Sequence, residues 1–389
     1  MKTIPYGRQS IDSDDINAVL KILNSDFLTQ GPAVRIFENN IEQYCNVRNA
    51  IVVSNATNAL YLSCLALEVG AGDCVWTTAI TFVASANCAL YCGATIDFVD
   101  IDPASFNISL DSLRNKLIDA KQKNKLPKVL IVVHFTGEPC LMAEIWNLSQ
   151  EFGFKVIEDA SHAIGAEYYG KKVGSSEMSD LTVFSFHPVK IITTAEGGAI
   201  TTNSSELAEK LLLLRSHGIT NDRSKMLIRP SHEVWNYQQL SLGFNFRMND
   251  IQAALGTSQL SKIEEFLGKR NAIADVYDAR LESLPLKLQC RNKDFKSSHH
   301  LYVVRFDYSR TEKKQKDIYS DLKKKGIEVN LHYIPVYRQP YFESFGFKAG
   351  YCPQAELYFH EAITLPIFPA LTFDNQMHII SALEEALKK

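Results

Sequence analysis

Residues 128–163 read KVLIVVHFTGEPCLMAEIWNLSQEFGFKVIEDASHA, and the fold class follows from how that stretch divides. Val129–Val133 is a continuous apolar run of strand length, far short of a membrane span. Leu141–Phe152 carries a helical pattern, and Lys155–Glu158 is strand-like again. A wholly apolar strand is buried on both faces, and a helix between two such strands is the crossover that makes them parallel. The alternation extends from about residue 50 to 260. It predicts strands at Ala50–Val53, Cys74–Thr77, Thr95–Val99, Leu181–Phe186 and Gly198–Thr202, and helices at Thr57–Leu67, Phe82–Tyr91 and Ser109–Ala120. The expected class is α/β, a mostly parallel seven-stranded sheet between layers of helix. In such sheets ligands gather beyond the carboxyl ends of the strands. No GxGxxG comes after any of these strands, which counts against a dinucleotide-binding fold.

Beyond Met248 the pattern changes. Asp250–Tyr277 reads as one or two long helices, and the remainder mixes short strands (His300–Phe306, Ile327–His332) with helices. The expected division is a large domain over 1–260 and a small α+β C-terminal domain over 261–389, joined by a linking helix. Residues 1–30 form an arm whose turn-like LTQGP (Leu28–Pro32) reaches toward a cleft. A chain of 389 residues is long enough for two cores. With 46% hydrophobic and 22% charged residues it has the balance of a soluble globular protein, and a net charge of -3 gives no attraction for nucleic acid or a membrane surface. Met1–Ser10 lacks a charged start leading into an apolar segment, so no secretory signal is read. The eight cysteines form no CxxC pair, and Cys64, Cys88 and Cys92 lie in apolar runs as buried thiols do. The ten histidines lack ligand spacing, so no metal is expected, and the compartment is read as cytoplasmic.

The residue that directs the functional reading is Lys190, in FSFHPVKIITTAEGGAITT (184–202). It comes after a strand, in a short polar, Gly-bearing turn. A lysine held there can lose its proton and form a Schiff base with an aldehyde; its bland alternative is a solvated surface lysine. In VIEDASHA a strand ends and presents Asp159 at the sheet's carboxyl edge. A carboxylate so placed serves as a metal ligand, a helix cap or the partner of a ring nitrogen; taken alone it reads first as an N-cap, and beside a Schiff-base lysine it gains the ring-nitrogen role. His162 would face the same cleft. SNATNAL (54–60) stands at a strand-to-helix junction, where small residues let backbone N–H groups approach a phosphate. Ser185 adds a hydroxyl, and Phe82 either stacks on a flat ring or packs in the core. Asn245 and Arg247 in GFNFRMNDIQAALG (243–256) either cap the next helix or cross into a neighbouring subunit.

In order and spacing, SNATNAL, TFVASAN (81–87), GATIDFVDID (93–102), VIEDASHAIGAEYYGKKVGS (156–175), FSFHPVKIITTAEGGAITT, RSHG (215–218) and GFNFRMNDIQAALG resemble the DegT/DnrJ/EryC1/StrS sugar aminotransferases. That resemblance implies a fold type I enzyme using pyridoxal 5'-phosphate. Lys190 would be its Schiff-base lysine and Asp159 its pyridine-nitrogen partner. It further implies Ala56, Thr57 and Ser185 at the phosphate, Phe82 over the ring and His162 beside it. The family's homodimers share active sites, and Asn245 matches an asparagine lent by the other subunit. HLYVVRF (300–306), NLHYIPVYRQPYF (330–342) and AELYFHEAITLPIFPALT (355–372) narrow the resemblance to enzymes that aminate C4 of a UDP-linked 4-keto-6-deoxy-N-acetylhexosamine with L-glutamate. They imply a substrate site at Tyr6, at Asp26, Phe27, Leu28 and Thr29, and at Asn330, Leu331, His332 and Tyr333. Two positions depart from the family pattern: His162 stands where glutamine is frequent, and His187-Pro188-Val189 precedes the lysine in place of the usual forms. A branch that dehydrates the 3-position carries histidine for the lysine, and Lys190 argues against it. A non-catalytic homologue would be expected to have lost Lys190 or Asp159, and both are present.

Overall fold

The computed structural model describes residues 3–228 and 235–388; residues 1, 2 and 389 of the expected domains, and 229–234, lie outside the described residues. The strands are β1 (Asn49–Val53), β2 (Cys74–Thr78), β3 (Thr95–Val99), β4 (Val129–Val133), β5 (Lys155–Asp159), β6 (Leu181–Ser185) and β7 (Gly198–Thr202). They form one sheet in the order β1-β7-β6-β5-β4-β2-β3. β6, β5, β4, β2 and β3 pair parallel, as the crossovers require. β7 runs against both of its neighbours, and Gly198 is matched with Val53 on one side and Ser185 on the other. The sheet is therefore mostly parallel, as the sequence predicts.

Helices α1 (Ser13–Leu23), α2 (Pro32–Cys45), α3 (Ala56–Ala66), α4 (Ala84–Tyr91), α5 (Leu110–Gln122), α6 (Met142–Phe152), α7 (Ser205–Arg215), α8 (Asp250–Leu260) and α9 (Ile263–Leu281) account for most of the rest. Side chains alternate across a strand, so β1 sends Ile51 and Val53 into the core under α3, α4 and α7, and Ala50 and Val52 into the core under α2 and α8. The second face continues under α5 and α6, where Leu130, Val132 and Val156 are buried. The caps are readable locally: Asn55 starts α3 by accepting from Asn58 N (2.8 Å), and Asn249 starts α8 with a reciprocal box to Gln252. α2 has only Gly31 at its N-cap, and the buried Asp250 carboxylate of α8 serves instead, accepting from Gly31 N and Ala33 N (both 2.9 Å). That charge-assisted pair fixes the start of one helix against the start of the other.

A second sheet of β8 (Leu286–Leu288), β9 (Tyr302–Phe306) and β10 (Ala362–Leu365) is antiparallel throughout. With α10 (Gln315–Lys324), α11 (Pro353–Glu361) and α12 (Phe373–Lys388) it completes the chain. α9 belongs to two cores, giving Ile263 and Phe266 to that under α2 and α8, and Tyr277 and Leu281 to that under the second sheet. The N-terminal arm begins on this second lobe: Ile4 N donates to Gly326 O and Glu328 N to Ile4 O (both 2.9 Å). No helix among the described residues is long and apolar enough to cross a membrane.

The one or two helices expected over Asp250–Tyr277 are two, broken at Ser261–Lys262, where Lys262 leaves helical geometry and pairs with Asp12 (2.7 Å) and Asp15 (2.8 Å) of the arm. Two local expectations are adjusted. Ile327–His332 is not a strand; its backbone makes isolated bridges, Ile327 to Ile4 and Asn330 to Thr364. Cys92 is half-buried, whereas Cys64 and Cys88 are buried.

Gly256 sits where α8 crosses Phe37, and a Cβ there would lie 2.5 Å from the Phe37 ring and 2.8 Å from Thr194 Cγ2. Gly256→Val is expected to cost about 2 kcal/mol by overpacking, read as a lower urea midpoint with an unchanged slope.

Candidate active site

The carboxyl ends of the parallel strands open onto a cavity of about 720 Å³. β4 brings Val133 to it, β5 brings Asp159, and β6 brings Ser185. The first turn of α3 brings Asn55, Ala56, Thr57 and Asn58. The second lobe closes the other side with His300 and Asn330–Tyr333, and the arm adds Tyr6.

Lys190 lies on the loop between β6 and β7, partly open to this space. The loop is pinned by Phe186 N to Gly197 O (2.9 Å), Thr194 N to Phe186 O (3.0 Å) and Thr193 Oγ to Phe186 O (3.0 Å). Enclosure by protein pushes the Lys190 ammonium down to about 8, with the nearby Asp159 carboxylate opposing the shift. The ammonium still predominates at physiological pH, but the neutral amine that a nucleophile must be is far more abundant than for an ordinary lysine.

Asp159 is 4% exposed and held by two donors: Ser85 Oγ to Oδ2 (2.7 Å) and Ser161 N to Oδ1 (3.1 Å). Thr81 lies 2.8 Å from the Ser85 hydroxyl, so the first turn of α4 fixes the carboxylate. At α3, Asn55 satisfies Asn58 N, which leaves the leading N–H groups of Ala56 and Thr57 to the cavity. Gly198 of β7 passes directly beneath, where a Cβ would come within 2.8 Å of Ala56 N. His162, His300 and His332 form a buried group around Lys190. Burial, with Lys190's charge second, holds all three well below the ordinary histidine value, so they stand neutral. His162 lies 3.4 Å through Nε2 from Tyr333 Oη, while its Nδ1 has no partner among the described residues.

Of the residues singled out in the sequence, this one cavity gathers Tyr6, Ala56, Thr57, Phe82, Asp159, His162, Ser185, Lys190, Asn330, Leu331, His332 and Tyr333. It does not gather Asp26, Phe27, Leu28 and Thr29, which are exposed beside the start of α8, where Leu28 O accepts from Asp250 N (3.0 Å). Asn245 is exposed as well, bridged to Ser216 and outside the lining. Sequence reasoning missed Ser85, His187, Glu196 and His300. Ser85 had a signal, a hydroxyl one turn beyond Phe82 in TFVASAN; His300 had none, because its place depends on the packing of a distant segment.

The lining suits a flat aldehyde-bearing ring with an anionic arm. Phe82 offers an aromatic face, 57% exposed; Asp159 offers a fixed buried charge; His162 Nδ1 is an orphaned polar atom; and the start of α3 is an anion cradle with Gly198 clearing its approach.

Comparison with known proteins agrees. The DegT/DnrJ/EryC1/StrS aminotransferase family model matches residues 9–384. A UDP-4-amino-4,6-dideoxy-N-acetyl-beta-L-altrosamine transaminase of Campylobacter jejuni is 40% identical over 342 residues, 87% of this chain and 86% of that one. Among solved structures, Helicobacter pylori PseC, an aminotransferase involved in the biosynthesis of pseudoaminic acid, superposes with a TM-score of 0.87 at 33% identity over 100% of both chains. The Streptococcus pneumoniae protein Spr1654 in its PLP-form gives 0.87 at 28% identity over 99% of both.

Because the ammonium is the unreactive form, capture of an aldehyde by Lys190 is expected to slow as pH falls through about 8 and to level off above it. Stopped-flow absorbance of the apoprotein mixed with pyridoxal phosphate at stepped pH measures this; a midpoint near that of a free lysine would contradict the assignment.

Proposed function

Since the chain belongs to the DegT/DnrJ/EryC1/StrS aminotransferase family and is a pyridoxal-phosphate-dependent sugar aminotransferase, we propose that it aminates C4 of a 4-keto-6-deoxy UDP-N-acetylhexosamine with L-glutamate. The products are UDP-4-amino-4,6-dideoxy-N-acetyl-β-L-altrosamine and 2-oxoglutarate, a step of pseudaminic acid biosynthesis. The observation that carries the reading is a lysine amine held near neutrality beside one pinned carboxylate in the cavity at the strand ends. The sugar rests on the relatives, whose names specify it for those proteins.

Lys190 would hold the cofactor, Asp159 its ring nitrogen, Ala56, Thr57 and Ser185 its phosphate, and Phe82 and His162 its ring. When bound, pyridoxal phosphate supplies an electron sink for the carbanion at the donor's Cα. Asp159 keeps the ring nitrogen's proton in place, because its own oxygens are already occupied by Ser85 and Ser161 and cannot swing away. Lys190, as the neutral amine, would take the proton from the donor's Cα and return it to the carbon on the far side of the transferred nitrogen, a 1,3 shift; with the keto-sugar it would work in the opposite sense. Three neutral imidazoles around it add no positive charge to compete with that proton. Tyr6 and Asn330–Tyr333 line the sugar side. We read 1–260 as the cofactor-holding domain and 261–389 as the small domain, and the reaction as cytoplasmic, where both substrates are made.

We also read the protein as a homodimer with shared sites. Asn245 lies exposed, and so do Leu227, Ile228, Trp235, Tyr237 and Leu242 among the described residues that precede it. A surface that apolar is suited to cover by a second copy, which would also bring a neighbour's Asn245, and its Asp26–Thr29, within reach.

Mass analysis of products from a panel of 4-keto nucleotide sugars tests the acceptor: the UDP-N-acetylhexosamine should turn over fastest, and preference for a UDP-pentose or dTDP-hexose would replace this reading with its runner-up. Lys190→Ala is expected to lose at least about a thousandfold in kcat, with no bleaching of the yellow cofactor by glutamate. For shared sites, Lys190→Ala mixed with Asn245→Asp should regain part of the activity neither has alone; no recovery in mixed dimers refutes the sharing.

A further inference from the structure

Arg270 on α9 is 1% exposed, and its guanidinium meets no carboxylate among the described residues. Burial alone pushes it down to about 9. A buried cation without a counter-ion is costly unless dipoles surround it. Here Nη1 donates to three backbone carbonyls at once: His299 O (3.1 Å), His300 O (3.3 Å) and Ile367 O (3.1 Å). Those carbonyls belong to two segments far apart in the chain, and each segment bears on the active-site wall.

The first segment carries His300, whose ring lies 4.4 Å from that of His162, centroid to centroid. The same segment is stitched to the His162 loop by Ser298 Oγ, which donates to His162 O (2.5 Å), and to the turn after β4 by Leu301 N to Thr136 O (3.1 Å). The second segment carries Ile367, whose N–H donates to Tyr6 O (3.1 Å) and so fixes the arm residue that faces the cavity. We propose that Arg270 is a positioning residue for transamination: by drawing three carbonyls to one point it sets the His300–His162 ring pair and Tyr6 as a single unit. Neither a shorter donor nor a neutral one can do the same. Lysine's shorter stem does not carry its ammonium to the point where Nη1 stands, and glutamine has no charge to hold three carbonyl dipoles converging.

The test uses the holoenzyme as Arg270→Lys, Arg270→Gln, His300→Phe and the Arg270→Lys/His300→Phe double variant. Three readouts are taken: thermal midpoint, visible circular dichroism of the bound cofactor, and kcat and KM separately. Arg270→Lys should fold, change the cofactor's dichroism, and raise the acceptor KM roughly tenfold with a smaller loss in kcat, the scale of unpaired buried carbonyls acting on one wall. His300→Phe should change the dichroism in the same sense, and the double variant should lose less than the product of the two singles. The dichroism needs no sugar, so its outcome is independent of which acceptor is correct. A folded Arg270→Lys protein with native dichroism and native KM, lowered only in thermal midpoint, overturns the proposal, as do strictly multiplicative losses in the double variant. Should the Arg270 variants not fold, His300→Phe decides alone: native cofactor dichroism in that protein refutes the link.

Discussion

The rest of the site depends on one imbalance around Lys190. Enclosure penalises its ammonium more than Asp159 rewards it, so the proton is lost far more readily than from an ordinary lysine. Every neighbour is consistent with that balance. The Asp159 carboxylate is buried and already engaged by Ser85 and Ser161, which limits its pull. The three imidazoles nearby are themselves kept neutral by burial, so none donates a proton to the lysine or repels it further. A second free carboxylate against the amine would restore the ammonium and remove the nucleophile.

The fold delivers these groups by a simple rule. Parallel strands end on one edge of the sheet, and the turn after each strand faces the same space. Asp159 ends β5, Ser185 ends β6, and α3 starts just past β1. The second lobe then needs only to lay His300 and Asn330–Tyr333 across that edge. It is tied there by backbone bonds from the turn after β4, from the arm and from Arg270.

Much of this was legible in the chain. Strands apolar along their length, such as VLIVV and LTVFSF, announce a two-sided sheet, and Asn55, Ser85 and Lys190 act within one turn of the element that carries them. Lys190 stood out in the sequence and Asn55 lay unnamed within a motif that did; Ser85 did not, because a hydroxyl in an Ala-rich turn looks like packing. Other residues act through contacts between segments remote in sequence. His300 reaches the cavity because Arg270 and Thr136 hold its backbone, and no pattern around HLYVVRF encodes either partner. Ile327–His332 has the β-branched and apolar residues of a strand, yet its backbone pairs through isolated bridges at Ile327 and Asn330 and stays irregular. The substrate-site reading of Asp26–Thr29 came only by resemblance, and those residues and Asn245 lie outside the lining of this cavity.

Because β7 is reversed, Ser185 and Gly198 are paired neighbours, and the loop carrying Lys190 leaves and rejoins the sheet at one place. A loop after a parallel strand departs toward a helix and behaves as a cantilever, its tip error growing with distance from a single root. The Lys190 loop is instead an arch with both feet on the same rigid footing. Tilting one foot carries the other with it, so the amine moves with the sheet that also carries Asp159, and the separation between acid and base is preserved while the cavity around them opens or closes.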